Sequence, residues 1–319
     1  MNEYSIHRLE ENEFELLIPL MKNCFGISVK IDYFRWKFIE NPAGFVFGFY
    51  AKHESGEIAA YYGVIPEYFE IDGKKRIVFQ SCDTMTHSNH RRKGLFQLLA
   101  LHCYNKLEEN NLSFIYGFGG GQSTPGFLKF GWIELFKMKY LFYPRSLNVF
   151  KIPRKYISAF EITDINKIQH LIQVSNSKST IHSVKNIETF TWRISNPLYQ
   201  YRIVVSKTKD YVDSYIVFYE LNDKFFIFDF YSENHENLGN LFKYIKSKLE
   251  KKHKGIISFT QENSYWSYQL KSNGFLSNPL KIGPLSERIP FIIYDPLKGI
   301  EKLHHTTNWL INPFDHDAL

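Results

Sequence analysis

No apolar run in the chain approaches the ~18 residues that a bilayer-spanning helix needs, so no membrane partner is expected. Cysteine is scarce. Cys24, Cys82 and Cys103 are the only three, widely spaced and without a C-x-x-C pair. That argues against a disulfide framework and a zinc site, so no metal is expected, and it fits the reduced thiols of a cytoplasm. The opening residues, MNEYSIHRLEENEFELL, are acidic and lack a cleavable signal pattern. A cytoplasmic location is therefore expected. Charge of one sign is also in short supply, with a net charge of +6 over 319 residues. Much of the excess lies in Lys243, Lys246, Lys248, Lys251, Lys252 and Lys254, on and just after a helix-like stretch. Aromatics do not interleave with these charges, so they read as a solvated helix face, and no nucleic-acid partner is expected.

Aromatic residues, by contrast, are plentiful at 17%, which implies well-filled cores. The length suffices for two domains of ordinary size, divided here as 1–150 and 151–319, with a junction at Lys151–Phe160. Ser5–Leu9 alternates like a strand, and Glu10–Phe25 has helical spacing. An aromatic helical segment from Tyr33 stops before Pro42. Phe45–Lys52, Ile58–Phe69 and Arg76–Thr86 read as strands, the last two joined by the turn signal Asp72-Gly73. Gly94–Glu109 reads as a helix, Leu112–Phe118 as a strand, Gly126–Phe130 as a brief helix and Trp132–Tyr143 as a strand. Meander strands followed by a strand–helix–strand unit predict an α+β class with a mixed, mostly antiparallel sheet flanked by helices.

The stretch Thr84–Leu99, TMTHSNHRRKGLFQLL, organises this order. A strand runs into a basic turn and then a helix start. Backbone N–H groups, the positive end of the helix dipole, and Arg91, Arg92 and Lys93 converge there, as suits an anion of pyrophosphate type. The pattern Arg91-x-x-Gly94-x-Phe96 resembles the acyl-CoA loop of the GCN5-related N-acetyltransferases (GNAT), with Phe96 in place of the usual final Gly or Ala. Gly126-Phe-Leu-Lys-Phe-Gly-Trp132 resembles the closing motif of the same family, in the right order.

The second half echoes the first. Thr191-Trp-Arg-Ile-Ser-Asn-Pro197 parallels Arg35-Trp-Lys-Phe-Ile-Glu-Asn-Pro42, and Gln269-Leu-Lys-Ser-Asn-Gly-Phe275 parallels Phe127-Leu-Lys-Phe-Gly-Trp132. Two tandem GNAT-like domains are expected. At the loop position the copy carries Glu233-Asn-His-Glu-Asn-Leu-Gly-Asn240, acidic where phosphate would lie, so the second domain is expected to be degenerate.

The resemblance implies an acyltransferase that uses acetyl-CoA or another acyl-CoA as co-substrate, with a small-molecule amine, such as an amino sugar, as acceptor; an aminoacyl or long-chain acyl transferase on the same fold, or a non-catalytic sensor that binds acyl-CoA, is the alternative. It places the pantetheine arm along Thr84, Met85 and Thr86, and the pyrophosphate on Arg91, Arg92, Lys93, Gly94, Leu95 and Phe96. Phe127 occupies the position of the family's usual Tyr acid and cannot donate a proton. Tyr61, Tyr62 and Tyr116 are alternatives among which the sequence does not choose. Asp83, the lone acid in Ile77–Met85, is the candidate general base. A surface or turn-capping role for it weighs against that, and His87 and His90 read as loop residues. Gln122 and Ser123 fall where the strands should open. Tyr33 and Trp36, with Phe34, are candidates for the acceptor wall, with core packing an equal alternative. The tail acids Asp315 and Asp317 are expected to face a cationic amine.

Overall fold

The computed structural model describes residues 3–109, 113–121, 123–148, 158–175, 180–278 and 285–317. The expected junction at Lys151–Phe160 falls mostly outside them. In the first half β1 (Tyr4–Arg8) leads through a 3₁₀ turn to α1 (Leu17–Phe25) and α2 (Ile31–Phe38). Then come β2 (Phe47–His53), β3 (Ile58–Ile71) and β4 (Lys74–Thr86). Asp72 and Gly73 both take positive φ, as the tight β3–β4 hairpin requires. After them come α3 (Leu95–Glu108), β5 (Ile115–Phe118), α4 (Thr124–Lys129) and β6 (Ile133–Pro144). Leu95, Leu99, Cys103 and Leu107, four apart, bury one face of α3.

The second half repeats the order with β7 (Phe160–Ile162), α5 (Gln169–Val174), β8 (Ile181–Ser183), α6 (Ile187–Ile194), β9 (Arg202–Thr208), β10 (Tyr211–Leu221) and β11 (Lys224–Ser232). Next are α7 (His235–Ser247), β12 (Gly255–Gln261), α8 (Tyr265–Ser272), β13 (Leu276–Ser277), β14 (Arg288–Tyr294) and β15 (Trp309–Leu310).

The halves do not form separate sheets. The order is β1-β2-β3-β4-β5-β14-β6-β12-β11-β10-β9-β7, continuous from one half to the other. β14, from the second half, lies between β5 and β6 of the first. In return, the far end of β6 lies between β12 and β13 of the second. Each half thus lends the other a strand. The echoed tryptophans meet at the middle. Trp36 Nε1 donates to the Trp192 carbonyl at 2.6 Å, and Trp192 Nε1 donates to the Trp36 carbonyl at 2.8 Å. Their rings stack with centroids 5.6 Å apart. Reciprocal bonds between equivalent residues are the mark of a two-fold relation, here within one chain.

The tail is no appendage. Leu303, Trp309, Ile311 and Phe314 belong to the largest buried cluster, together with β3, β5, β11 and β14.

Candidate active site

β4 and β5 pair only at Phe79–Ile115 and Gln80–Tyr116, and part beyond. At the parting β4 carries a bulge. Met85 faces Tyr61 and Cys82 faces Gly63, leaving Asp83 and Thr84 opposite Tyr62 alone. Asp83 holds φ at +47°, in the left-handed region. Such a bulge bends the strand and re-aims a side chain. Two cavities open here, of about 490 and about 760 Å³, and they share Cys24, Phe25, Thr84 and Ser123 as lining.

The smaller cavity sits at the start of α3. Gly94, at φ +76°, caps the helix without a side-chain hydrogen bond, so no side chain occupies its first N–H groups. Arg91, Arg92, Thr84, Thr86, Gly94, Leu95 and Phe96 line the space. The Arg91 Nε donates to the Thr86 carbonyl at 3.4 Å. Lys93 is not among the lining residues. Its ammonium lies 3.8 Å from Glu3 and over the Tyr4 ring, so the expected third cation turns away. Met85 also departs from expectation, lining neither cavity, with its side chain buried among α1 and α2. Phe96 packs against Phe127 and Phe130. A Cβ at position 126 would come within 2.7 Å of the Phe96 ring, so Gly126 makes room for the bulk that replaces a small residue.

The larger cavity holds the acids. Asp83, Asp317 and Tyr33 line it, as do Phe127, Ser123, Tyr140, Tyr199, Glu287 and His316. Behind the two aspartates sits Lys37, fully buried. Its ammonium lies 2.8 Å from Asp83 Oδ2 and 2.9 Å from Asp317 Oδ2, and it donates to the Tyr33 hydroxyl at 3.2 Å. Lys37 thus donates to Asp317 and to Tyr33, while Asp83 Oδ2 meets its ammonium as an ion pair without a hydrogen bond. Burial pushes Asp83 above the ordinary carboxylate range, against the pull of Lys37, and the Asp317 charge adds to the rise. Lys37 and His316 hold Asp317 below that range despite its burial. Burial takes His316 down to about 4, so its imidazole is neutral at neutral pH.

Other expected residues lie elsewhere. Trp36 lines neither cavity, because its ring is committed to Trp192 at the centre of the molecule. Phe34 is core. Gln122 lies outside the described residues. Asp315 does not face the larger cavity. Its carboxylate accepts from the Ser183 hydroxyl and from the Asn312 N–H, closing a tight turn. Tyr61, Tyr62 and Tyr116 are buried off the cavity, with Tyr62 bonded to Tyr104 and Tyr116 to the Asp315 carbonyl. The phenols that do reach it are Tyr33, Tyr140 and Tyr199. Lys37 was missed, although a lysine four residues after Tyr33 in an aromatic helix shares its face. Asp83 was the readable signal. His316, Tyr199 and Glu287 come from the second half and carry no local mark.

His87 and His90 form a rim cluster with Glu57, which lies 3.5 Å from His87 Nε2 and 2.6 Å from His90 Nε2. His87 Nδ1 accepts from the Asn89 N–H, so in the neutral ring the proton sits on Nε2, toward Glu57.

The matching place in the second half is closed to an anion. The Asn234 side chain caps α7, accepting from the N–H groups of Glu236 and Asn237. β11 and β12 pair only at 224–226 with 255–257. Beyond that, Phe314 packs on Phe228 and His316 on Phe259, so the tail narrows the parting to a cavity of about 420 Å³. The lysines after α7 are partly neutralised, Lys248 by Glu161, Lys252 by Glu220 and Lys254 by Asp223.

A mixed sheet that parts beside an uncapped basic helix start is the architecture of the GNAT fold. Residues 5–134 match the family model described as an acetyltransferase (GNAT) domain, and the chain carries that domain in its first half. No curated protein matches the chain in sequence. A probable N-acyltransferase from Enterococcus faecalis is similar in structure at 8% identity, TM-score 0.68, over 91% of this chain and 71% of that one. A GCN5-related N-acetyltransferase from Anabaena variabilis is similar at 11% identity, TM-score 0.67, over 92% and 72%. Saccharomyces cerevisiae N-myristoyltransferase, solved with bound myristoyl-CoA, is similar at 12% identity, TM-score 0.65, over 92% and 79%. The fold is two tandem GNAT-like units sharing one sheet, and the enzyme class is acyltransferase.

Proposed function

We propose that the protein transfers an acyl group, acetyl in the simplest case, from acyl-CoA to the amine of a small acceptor by direct attack within a ternary complex. The carrying observation is the Asp83 carboxylate, on the bulge where the two cavities join. Arg91, Arg92 and the start of α3 hold the pyrophosphate, and the edge of β4 at Thr84 and Thr86 holds the pantetheine arm. A backbone N–H at the bulge polarises the thioester carbonyl, a contribution of ~10²–10³ in rate where such donors have been removed. The acceptor enters as an ammonium in the larger cavity and loses one proton to Asp83. Its nitrogen forms the C–N bond, and the C–S bond breaks. The nitrogen's surplus proton passes to the departing thiolate, giving CoA and an amide. A thiolate of pKa about 8.5 leaves readily, which suits a site with Phe127 at the acid position. An amino sugar fits the polar lining of Ser123, Tyr140, Tyr199 and Glu287.

A longer acyl donor is the second reading. It is favoured by the cavity's volume and by the apolar side chains of Met21, Phe25, Ile27, Val29 and Ile292 along it. A thiol-release assay decides between them, run with acetyl-, octanoyl- and myristoyl-CoA against amino sugars, amino acids and polyamines. Amine-dependent release fastest with acetyl-CoA supports the first reading, and a preference for the longer donors supports the second. No amine-dependent release with any donor would overturn both.

A further inference from the structure

The cluster Tyr33–Lys37–Asp83–Asp317 assembles two aspartates that open on the acceptor cavity around one ammonium that does not. We infer that Lys37 is a positioning residue that sets the charge of this cluster at −1, and so fits the site to one cationic amine and fixes the pH at which Asp83 works. This rests on the reading of Asp83 as base.

Lys37 lines neither cavity of the site, so it reaches the substrates only through other groups. It acts through the two carboxylates, holding one oxygen of each. Without it, two carboxylates would share a buried site, and one would keep its proton at neutral pH. With it, the ammonium favours the ionised form of both, and two ionised acids with one base sum to a single negative charge. A buried site of net charge −1 takes up one ammonium and becomes neutral, whereas a neutral site would pay for desolvating the incoming charge with nothing in return. The halves share the work. Lys37 and Tyr33 come from α2, Asp83 from the bulge in β4 and Asp317 from the tail, 280 residues from Lys37.

The other titratable groups about Asp83 leave this balance intact. Cys82 and Tyr61 are raised by burial and stay neutral. Tyr33 is raised for the same reason. His316 is neutral. Glu287 and Arg288, of opposite sign, lie exposed at the rim. Arg193 acts on Asp317 from the far side and favours its charge.

The test is the pH dependence of kcat/KM for the amine in the full chain, in which the acid limb reports ionisation of the base. Lys37→Met removes the attraction that favours ionised Asp83, so the limb should move to higher pH, by about one to three units. Asp317→Asn removes a like charge, so the limb should move the other way, to lower pH, and the acceptor KM should rise more than kcat falls. Lys37→Arg keeps the charge and should restore the limb towards the wild-type position. Loss of packing alone cannot move the two limbs in opposite directions. If Lys37→Met does not fold, the downward shift in Asp317→Asn still carries the test. Limbs that coincide with wild type, or that shift the same way in both variants, would overturn the assignment of Lys37. Failure of the underlying reading looks different, because Asp83→Asn would then keep both its rate and its acid limb.

Discussion

Asp83 is where local strain and chemistry coincide. A non-glycine residue with φ near +47° persists only where its surroundings over-determine it, and here the bulge and the Lys37 contact do so. Asp83→Asn should lower turnover by ~10²-fold or more with CoA affinity nearly unchanged, as for a lost general base. Steady-state kinetics beside calorimetry with CoA would check it, and near-normal turnover would return Asp83 to a structural role. Because its pKa is raised, activity should fall as pH drops at values above those of an ordinary aspartate. The residue after each echoed tryptophan is a buried cation, Lys37 in the first half and Arg193 in the second. Arg193 meets Glu67 at 2.6 Å. Arg193→Ala should destabilise the fold by ~3–5 kcal/mol, since it leaves a buried acid unpartnered. Glu67, pushed up to about 7 by burial, would then take up a proton, so the loss should shrink at low pH. Urea unfolding at two pH values measures both.

At the scale of elements, the helix start is the part most fully legible in the sequence. Gly94 and the cations before it lie within a few residues of one another, and local chemistry alone shapes them. A side chain at Gly94 would meet nothing within 4 Å, and the strain of its positive φ is ~1–2 kcal/mol. Gly94→Glu should therefore stay folded and lose CoA binding by like-charge repulsion, and calorimetry showing wild-type affinity would sink the pyrophosphate assignment. The direction of Lys93 was not legible, because its partners Glu3 and Tyr4 come from the first strand. The place of β14 was hidden for a deeper reason. A strand's alternation says which face is buried, but not which neighbours it pairs with. Arg288–Tyr294 reads as a strand anywhere, and its insertion between β5 and β6 is decided by the whole sheet. The tail misleads in the same way. Its polar, aromatic sequence gives no sign of a core segment, yet Trp309, Ile311 and Phe314 are core. Its truncation would remove core packing along with Asp317, so Asp317→Asn is the cleaner probe of the acceptor site.

For the whole molecule, the two-fold echo predicts two clefts, and both halves open one, the second a cavity of about 420 Å³ between the end of β11, the start of α8 and the tail, but only the first lies beside an uncapped basic helix start. Titration should give one CoA per chain, because the start of α7 is capped by its own Asn234 and the loop before it carries no Arg or Lys to meet a pyrophosphate. A stoichiometry near two would refute this. The shared sheet changes what is expected of an isolated first half. Residues 1–150 include β5 and β6 but not the strand between them, and they leave Trp36 without its partner. That fragment should lack cooperative thermal unfolding and bind CoA far more weakly than the full chain. Wild-type affinity in the fragment would show that the first half completes its own sheet.

The lent strand also bears on synthesis. A ribosome that has released the first 150 residues has released two bare strand edges whose filler is encoded some 140 residues later. At ~5–20 residues per second, the wait is on the order of ten seconds. Throughout it, β5 and β6 offer unpaired backbone to any neighbouring nascent chain. Slow codons between the two halves would lengthen that exposure, and a chaperone that shields strand edges would shorten its consequences.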